Sequence, residues 1–162
     1  MSGLQAVSAE VVEAFSKRGK TLGTAESLTG GMIASSVASV SGASSVLMGG
    51  VVSYDPRVKH ELLGVSQQLI DTVGVVSEPC ARQMAEGARR ALKVDVAVSA
   101  TGVAGPTGGT PEAPVGTVYL GVCCESGVRV ERHSFAGDRQ AVREQSAARA
   151  LEMALEALRQ GA

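Results

Sequence analysis

Aromatic residues and long apolar runs are almost absent from this sequence. Its 162 residues include two Tyr, two Phe and no Trp, although 44% of the residues are hydrophobic. The core must therefore be built from aliphatic side chains and Met. No apolar run approaches the ~20 residues that a membrane helix needs, and Glu10 and Glu13 interrupt the region where a signal peptide would lie. We therefore expect no membrane span and a location in the cytoplasm.

Cysteine and histidine are scarce, and neither sign of charge is in excess. Cys80, Cys123 and Cys124 show no Cys-x-x-Cys spacing, and His60 and His133 form no His-x-x-x-His pair. We therefore expect no disulfide framework, no metal site and no other cofactor. The chain has 15 Lys plus Arg against 16 Asp plus Glu. Because it shows no basic stripe, we expect no nucleic-acid partner.

The apolar periodicities predict helices and strands that alternate first and end in a hairpin. Predicted helices cover residues 4–18, 32–40, 56–63, 66–73, 77–92 and 138–160, and predicted strands cover 20–25, 46–54, 94–100, 115–124 and 128–135. Gly49 and Gly50 suggest a bulge in the second strand. This order predicts an α/β fold, a three-layer α/β/α sandwich with a mixed, largely central sheet. The length predicts one domain over residues 1–162.

A first polar segment, residues 24–31, joins a predicted strand to a predicted helix. The backbone N–H groups at a helix start can hold an anion or a developing oxyanion, and Ser27 lies where its hydroxyl could face a ligand. The alternative is that Ser27 or Thr29 simply caps the helix.

A second polar segment contains Tyr54 and Lys59. Lys59 falls in the first turn of a short helix that Asp55 and Pro56 begin. A lysine is a useful general base only if burial or nearby positive charge lowers its pKa. The alternative is an ordinary surface lysine. Tyr54 is either a hydroxyl donor or a strand-end aromatic residue.

A third polar segment, residues 100–109, follows a buried strand and is rich in glycine. Ligands of open α/β sheets bind beyond the carboxyl ends of strands, where glycines let the backbone approach a phosphate. The segment is neither a P-loop nor a Gly-x-Gly-x-x-Gly motif, and the alternative is a plain surface loop. Arg139 and Arg143 are four residues apart and share a helix face. They meet either a phosphate or carboxylate, or solvent.

Together these segments resemble the CinA C-terminal domain family, the nicotinamide-nucleotide amidohydrolases. The matching stretches are Ala25-Glu26-Ser27 with Thr29-Gly30-Gly31, Tyr54 with Lys59 and Leu63-Gly64-Val65, Ala100 to Pro106 with Gly108-Gly109, Pro114 to Val118, and Gly137-Asp138-Arg139 with Val142-Arg143. Three positions depart from the family pattern: Pro56 replaces an asparagine, Ala113 a lysine and Leu28 a common cysteine. The family's larger N-terminal domain has no match, so we expect a stand-alone version.

The resemblance implies deamidation of nicotinamide mononucleotide to nicotinic acid mononucleotide and ammonia, a step of pyridine nucleotide recycling. It implies Ser27 as nucleophile and Lys59 as base, with Tyr54 assisting and no metal. The amides of Gly30 and Gly31 are candidate oxyanion donors. The implied substrate-binding set is Glu26, Thr29, Gly30, Gly31, Thr101, Gly102, Gly105, Gly108, Gly109, Arg139 and Arg143. We expect a homo-oligomer, in which a neighbouring subunit could supply an arginine.

Two other classes of function remain open at this stage. A nucleotide-binding or regulatory module would share the loops but would need no lysine of lowered pKa. A structural or assembly protein would use the small-residue helix at residues 32–40 as a contact face and would bind no nucleotide.

Overall fold

The computed structural model of the chain describes residues 2–161. The helices and strands are α1 (Gly3–Arg18), β1 (Leu22–Glu26), α2 (Met32–Ala38), β2 (Leu47–Val52), α3 (Pro56–Leu63), α4 (Gln67–Thr72), α5 (Glu78–Leu92), β3 (Val96–Gly102), β4 (Thr117–Cys124), β5 (Gly127–Ser134) and α6 (Arg139–Arg159), with a 3₁₀ turn at Ala43–Ser45. Each predicted element has its counterpart here. No helix among these residues is both long and apolar enough to cross a membrane.

The five strands form one mixed sheet in the order β2-β1-β3-β4-β5. β1 runs parallel to β2 and β3, whereas β4 is antiparallel to both β3 and β5. β4 and β5 are the predicted hairpin. Helices α1, α2 and α6 pack on one face of the sheet, and α5 packs on the other with α3 against it. The predicted three-layer α/β fold is therefore confirmed.

The second strand is shorter than predicted, and its irregularity lies elsewhere. β2 ends at Val52, because Asp55 turns the chain into α3 by accepting the Arg57 N–H at 2.8 Å. The register between β1 and β2 shifts where Leu22 pairs with Leu47 and Gly23 pairs with Gly49. Met48 is therefore the extra residue, and the bulge predicted at Gly49 and Gly50 was wrong in position.

The parallel part of the sheet brings the carboxyl ends of three strands together. From β1 the chain passes to β2 on one side of β1, and then crosses to β3 on its other side. Strand order therefore reverses at β1, and ligands of open α/β sheets bind at this kind of switch point. The first residues after β1 and β2 are Ser27 and Ser53, and β3 ends with Thr101 and Gly102.

A close helix contact fixes the position of α3. A Cβ built on Gly87 of α5 would lie 1.9 Å from the carbonyl oxygen of Leu63, the last residue of α3. Gly64 then ends the helix in the left-handed conformation, with φ 71°. Only glycine at residue 87 allows α3 to approach α5 this closely, and α3 carries Lys59.

We expect Gly87→Ala to destabilise the chain by about 1–3 kcal/mol, because the added methyl group overlaps backbone that cannot move freely. This loss should outweigh the higher helix propensity of alanine. Urea unfolding followed by circular dichroism measures the change. Gly3→Ala is the matched control, since no atom lies within 4 Å of the Cβ built there. A Gly87→Ala chain as stable as the original would show that the α3–α5 contact is not tight.

Candidate active site

Ser27 lies at the junction of the three parallel strands. Its N–H donates to the carbonyl of Ala100 on β3 at 2.9 Å, and the Ser53 N–H donates to the carbonyl of Glu26 at 2.7 Å. These bonds tie the carboxyl end of β1 to the ends of both neighbouring strands. Ser27 lines an open hollow of about 280 Å³, which is near the lower end of the range for small-molecule sites.

Glu26 does not face this hollow but caps the helix that follows. Its side chain is 1% exposed, and its carboxylate accepts the N–H groups of Ile33 at 2.9 Å and Ala34 at 3.0 Å. The Glu26 carboxylate therefore caps the start of α2 from outside the helix, and the alternative in which Ser27 or Thr29 caps it was wrong. Because Glu26 already occupies these amides, the start of α2 has no free place for an anion there. The substrate-binding role predicted for Glu26 is corrected to a structural one.

Lys59 is buried, and its amine reaches the Ser27 hydroxyl. The side chain is 1% exposed, so the alternative of an ordinary surface lysine was wrong. Its Nζ lies 3.1 Å from Ser27 Oγ, 2.6 Å from the carbonyl oxygen of Ser53 and 3.2 Å from that of Tyr54. Pro56 occupies the first turn of α3, where its missing N–H costs nothing. This departure from the family pattern therefore leaves Lys59 in place.

Burial lowers the pKa of Lys59, while Cys80 and Asp55 nearby act in the opposite direction and are outweighed. A neutral amine has two N–H donors and one lone pair. The carbonyls of Ser53 and Tyr54 can accept both N–H groups, and the lone pair then faces the Ser27 hydroxyl. The arrangement therefore suits a neutral base poised to accept the serine proton. Burial raises the pKa of Cys80 to about 11, so this thiol stays protonated and does not compete as a nucleophile.

The glycine-rich loop after β3 forms one wall of the hollow. Gly102, Gly105 and Gly108 line it, whereas Gly109 does not. Thr101 also lines the hollow, but it is 1% exposed and its hydroxyl donates to the carbonyl of Val75 at 2.8 Å. Its hydroxyl therefore ties the end of β3 to the loop between α4 and α5 and is not free for a ligand.

The two predicted arginines have different positions. Arg139 lines the hollow, and its guanidinium donates to the carbonyl of Gly105 at 2.8 Å and to the Tyr54 hydroxyl at 2.9 Å. Arg143 lies outside the hollow and donates to the carbonyls of Leu28 at 2.9 Å and Thr29 at 3.1 Å. Arg143 therefore holds the turn after β1, and this corrects its predicted contact with substrate.

The other predicted residues of the first segment also lie away from the hollow. Thr29 is fully buried, and the Gly30 N–H donates to the carbonyl of Ser27 at 2.9 Å. Gly30 and Gly31 line a separate hollow together with Arg143. The oxyanion role predicted for the Gly30 amide is therefore not supported, because that N–H already has an acceptor.

Several residues of the site were missed from the sequence. The missed lining residues are Leu28, Val75, Val76, Val103, Ala104 and Thr107, and the Ser53 carbonyl was missed as an acceptor for Lys59. Most of them contribute backbone or apolar surface, which carries no recognisable chemical signal in a sequence. The one available signal was a position within two residues of a strand end, which holds for Leu28 and Val103.

Acidic side chains are absent from the lining of the hollow. Among the residues that line it, only Lys59 and Arg139 are ionisable to a cation, and none is acidic. No group of three or more His, Cys, Asp or Glu among residues 2–161 could hold a metal ion. The site therefore brings together a hydroxyl, a buried amine and a guanidinium, an arrangement that suits a ligand of negative charge.

The model of the CinA C-terminal domain family matches residues 4–158. The chain belongs to the CinA C-terminal domain family. A CinA-like protein of Anaeromyxobacter dehalogenans is 48% identical over 149 residues, which are 92% of this chain and 36% of that protein. A CinA-like protein of Thermotoga maritima is 46% identical over 88% of this chain and 35% of its own length. The chain thus spans about a third of the length of the curated relatives it matches.

Solved structures of the CinA superfamily share the whole fold. Competence damage-inducible protein A of Klebsiella pneumoniae superposes with a TM-score of 0.94 at 31% identity, covering 98% of this chain and 99% of that one. The competence/damage inducible protein CihA of Agrobacterium tumefaciens gives a TM-score of 0.91 at 34% identity, covering 96% of each chain.

We expect Glu26→Gln to lower the free energy of unfolding by about 1–3 kcal/mol, since an amide replaces a buried carboxylate that accepts two N–H groups. Thermal and urea unfolding measure the loss. Glu13→Gln is the control, because this glutamate pairs with Lys17 on the surface and such pairs contribute about 0–1 kcal/mol. Equal stability of Glu26→Gln and the original chain would contradict the capping role.

Proposed function

We propose that the chain is a serine–lysine amidohydrolase that deamidates nicotinamide mononucleotide to nicotinic acid mononucleotide and ammonia. The observation that carries the proposal is the 3.1 Å contact between the buried Lys59 amine and the Ser27 hydroxyl. The substrate in the proposal is the one that the resemblance to the CinA C-terminal domain family implies. The reaction would serve pyridine nucleotide recycling in the cytoplasm.

The first half of the proposed reaction forms an ester on Ser27. Neutral Lys59 takes the hydroxyl proton as Ser27 Oγ bonds to the carboxamide carbon, which gives a tetrahedral intermediate and a protonated amine. Lys59 then returns this proton to the departing nitrogen, so that the carbon–nitrogen bond breaks and ammonia leaves. One group acts as base and then as acid, as the mechanism of a serine nucleophile requires.

The second half consumes one water molecule. Lys59 takes a proton from the water as its oxygen bonds to the ester carbon, and the bond to Ser27 Oγ breaks as the amine returns that proton to the serine. The products are ammonia and a carboxylic acid, which then loses its proton to solvent or to the ammonia, and the free enzyme is regenerated. Both halves need Lys59 neutral at the start, a state that its burial favours.

The oxyanion of the intermediate needs a donor close to Ser27, and we assign this role to the Leu28 amide. Leu28 lines the hollow directly after the nucleophile, and no acceptor for its N–H is found among residues 2–161. The amide after the nucleophile serves the same purpose in other hydrolases that place a serine on a strand-to-helix turn.

The charge of the hollow supports an anionic substrate such as a nucleotide. Arg139 is the cation available to such a substrate, because its guanidinium takes no part in the serine–lysine contact. It donates to the Gly105 carbonyl and to the Tyr54 hydroxyl. A phosphate could replace the Tyr54 hydroxyl as its acceptor and form a stronger, charge-assisted bond. The backbone of Gly105 and Gly108 lets such a group approach closely.

A nucleotide-binding module without catalysis would also use this hollow, but it would gain nothing from a buried amine. Burying a lysine costs free energy, and a protein retains such a cost most often where the lysine has a function that needs its lowered pKa. The Lys59 contact therefore favours an enzyme over a module that only binds.

Ser27→Ala and Lys59→Met should each lower ammonia release from nicotinamide mononucleotide by at least about a hundredfold, because each removes one partner of the proton transfer. Purified chain is incubated with the nucleotide, and ammonia and the acid product are measured over time. Nicotinamide, its riboside and related nucleotides, assayed in parallel, test whether the phosphate is needed.

Ser146→Ala and Lys17→Met are the matched controls. Ser146 is a buried serine that bonds within α6, and Lys17 is an exposed lysine that pairs with Glu13. Both should keep full turnover, and circular dichroism should show all four variants folded. Wild-type turnover in a folded Ser27→Ala or Lys59→Met chain would refute the mechanism, and no turnover by the original chain would favour the binding module.

A further inference from the structure

The Ser27 hydroxyl has a single side-chain partner. Among residues 2–161, the only side chain that bonds to Ser27 Oγ is that of Lys59, at 3.1 Å. The two other contacts of the Lys59 amine are the carbonyls of Ser53 and Tyr54, which belong to the backbone. Lys59 is therefore the side chain placed to take a proton from whatever attacks an ester on Ser27.

The lining of the hollow contains no further group that would hold and activate a water molecule. Among the described residues that form it, none is Asp, Glu or His, the usual general bases besides lysine. The Thr101 hydroxyl donates to the Val75 carbonyl, and the Tyr54 hydroxyl accepts from Arg139. The hydroxyl of Thr107 belongs to an exposed residue. The site therefore has no carboxylate or imidazole that would select water over another small nucleophile.

The proposed reaction already needs a place for a nitrogen nucleophile beside Lys59. Ammonia leaves the tetrahedral intermediate when Lys59 protonates it. The reverse of that step is the attack of ammonia on the Ser27 ester while Lys59 takes a proton, and a step and its reverse share one transition state. The position that ammonia leaves therefore suits a neutral amine, because the proton acceptor stands next to it.

Space and charge limit which amines can use this position. The hollow holds about 280 Å³, near the lower end for small-molecule sites, so a bound nucleotide leaves room only for a group close to ammonia in size. A protonated amine has no lone pair with which to attack, and Arg139 adds a cation to the same hollow. Alkylamines are mostly protonated near neutral pH, as lysine is in water, whereas hydroxylamine is mostly neutral there. Hydroxylamine therefore meets both limits.

We propose that the chain also transfers the acyl group of its substrate to small neutral amines, with hydroxylamine as the model acceptor. This transfer rests on the proposed function, because it needs the ester on Ser27. The hydroxylamine nitrogen bonds to the ester carbon as Lys59 takes a proton from that nitrogen. The bond to Ser27 Oγ then breaks, and Lys59 returns the proton to the serine. In sum, the carboxamide and hydroxylamine give a hydroxamic acid and ammonia, with no oxidant or reductant consumed.

Reactions of the purified chain with nicotinamide mononucleotide near neutral pH, with and without hydroxylamine, test the transfer. Ammonia reports formation of the ester. The hydroxamic acid and the carboxylic acid, separated by liquid chromatography and identified by mass spectrometry, report its two fates. We expect the ratio of hydroxamic to carboxylic acid to double when the hydroxylamine concentration doubles, because the amine competes with water for one ester. The two products together should equal the ammonia released.

Two matched controls separate transfer at Ser27 from other routes. Ser146→Ala, a buried serine that bonds within α6, should divide the acyl group between the two products as the original chain does. Ser27→Ala and a reaction without protein should form no hydroxamic acid. N-tert-butylhydroxylamine, which carries a bulky group on the attacking nitrogen, should leave the carboxylic acid as the only product of the original chain.

The outcomes distinguish this transfer from the proposed function itself. Ammonia release with carboxylic acid as the only product at every hydroxylamine concentration would overturn the transfer and leave the hydrolase in place. No ammonia release from nicotinamide mononucleotide would overturn both. Equal amounts of hydroxamic acid from the original chain and from Ser27→Ala would also overturn the transfer, since the product would then arise without the ester.

Discussion

The burial of the Lys59 amine is the constraint on which the rest of the site depends. Lys59 reaches Ser27 only because α3 begins just after β2 and packs tightly on α5 at Gly87. Since burial lowers the pKa of Lys59 in the folded chain alone, protonation opposes folding. The free energy of unfolding therefore rises with pH between the folded and unfolded pKa values, and this contribution is lost as the pH falls through the folded one. Stability is given up here for a buried lysine of lowered pKa.

The surrounding structure keeps this pair in position by backbone contacts. The Ser27 N–H is tied to β3, the turn after it is held by Arg143, and Glu26 anchors the start of α2. These residues act through the main chain, so the hydroxyl keeps its direction while the hollow stays open. Because the chain crosses from β2 to β3 over β1, a crevice remains at the switch point. The glycine-rich loop after β3 forms one wall of this crevice.

Much of the fold and part of the site could be predicted from the sequence. Apolar periodicity indicated every helix and strand, and Asp55 with Pro56 indicated the start of α3. The pairing of Ser27 with Lys59 came from resemblance to a family, since residues 32 positions apart carry no local signal of contact. The roles of Glu26 and Arg143 could not be predicted, because each depends on which backbone groups the tertiary structure brings near.

A direct titration of the Lys59 amine tests the central claim most sharply. NMR of the lysine side-chain carbons and nitrogens over a range of pH gives its pKa, with Lys59→Met used to assign the signal. The account predicts that this lysine loses its proton well below the ~10.4 of an exposed lysine. A Lys59 pKa at or above that value would contradict the account.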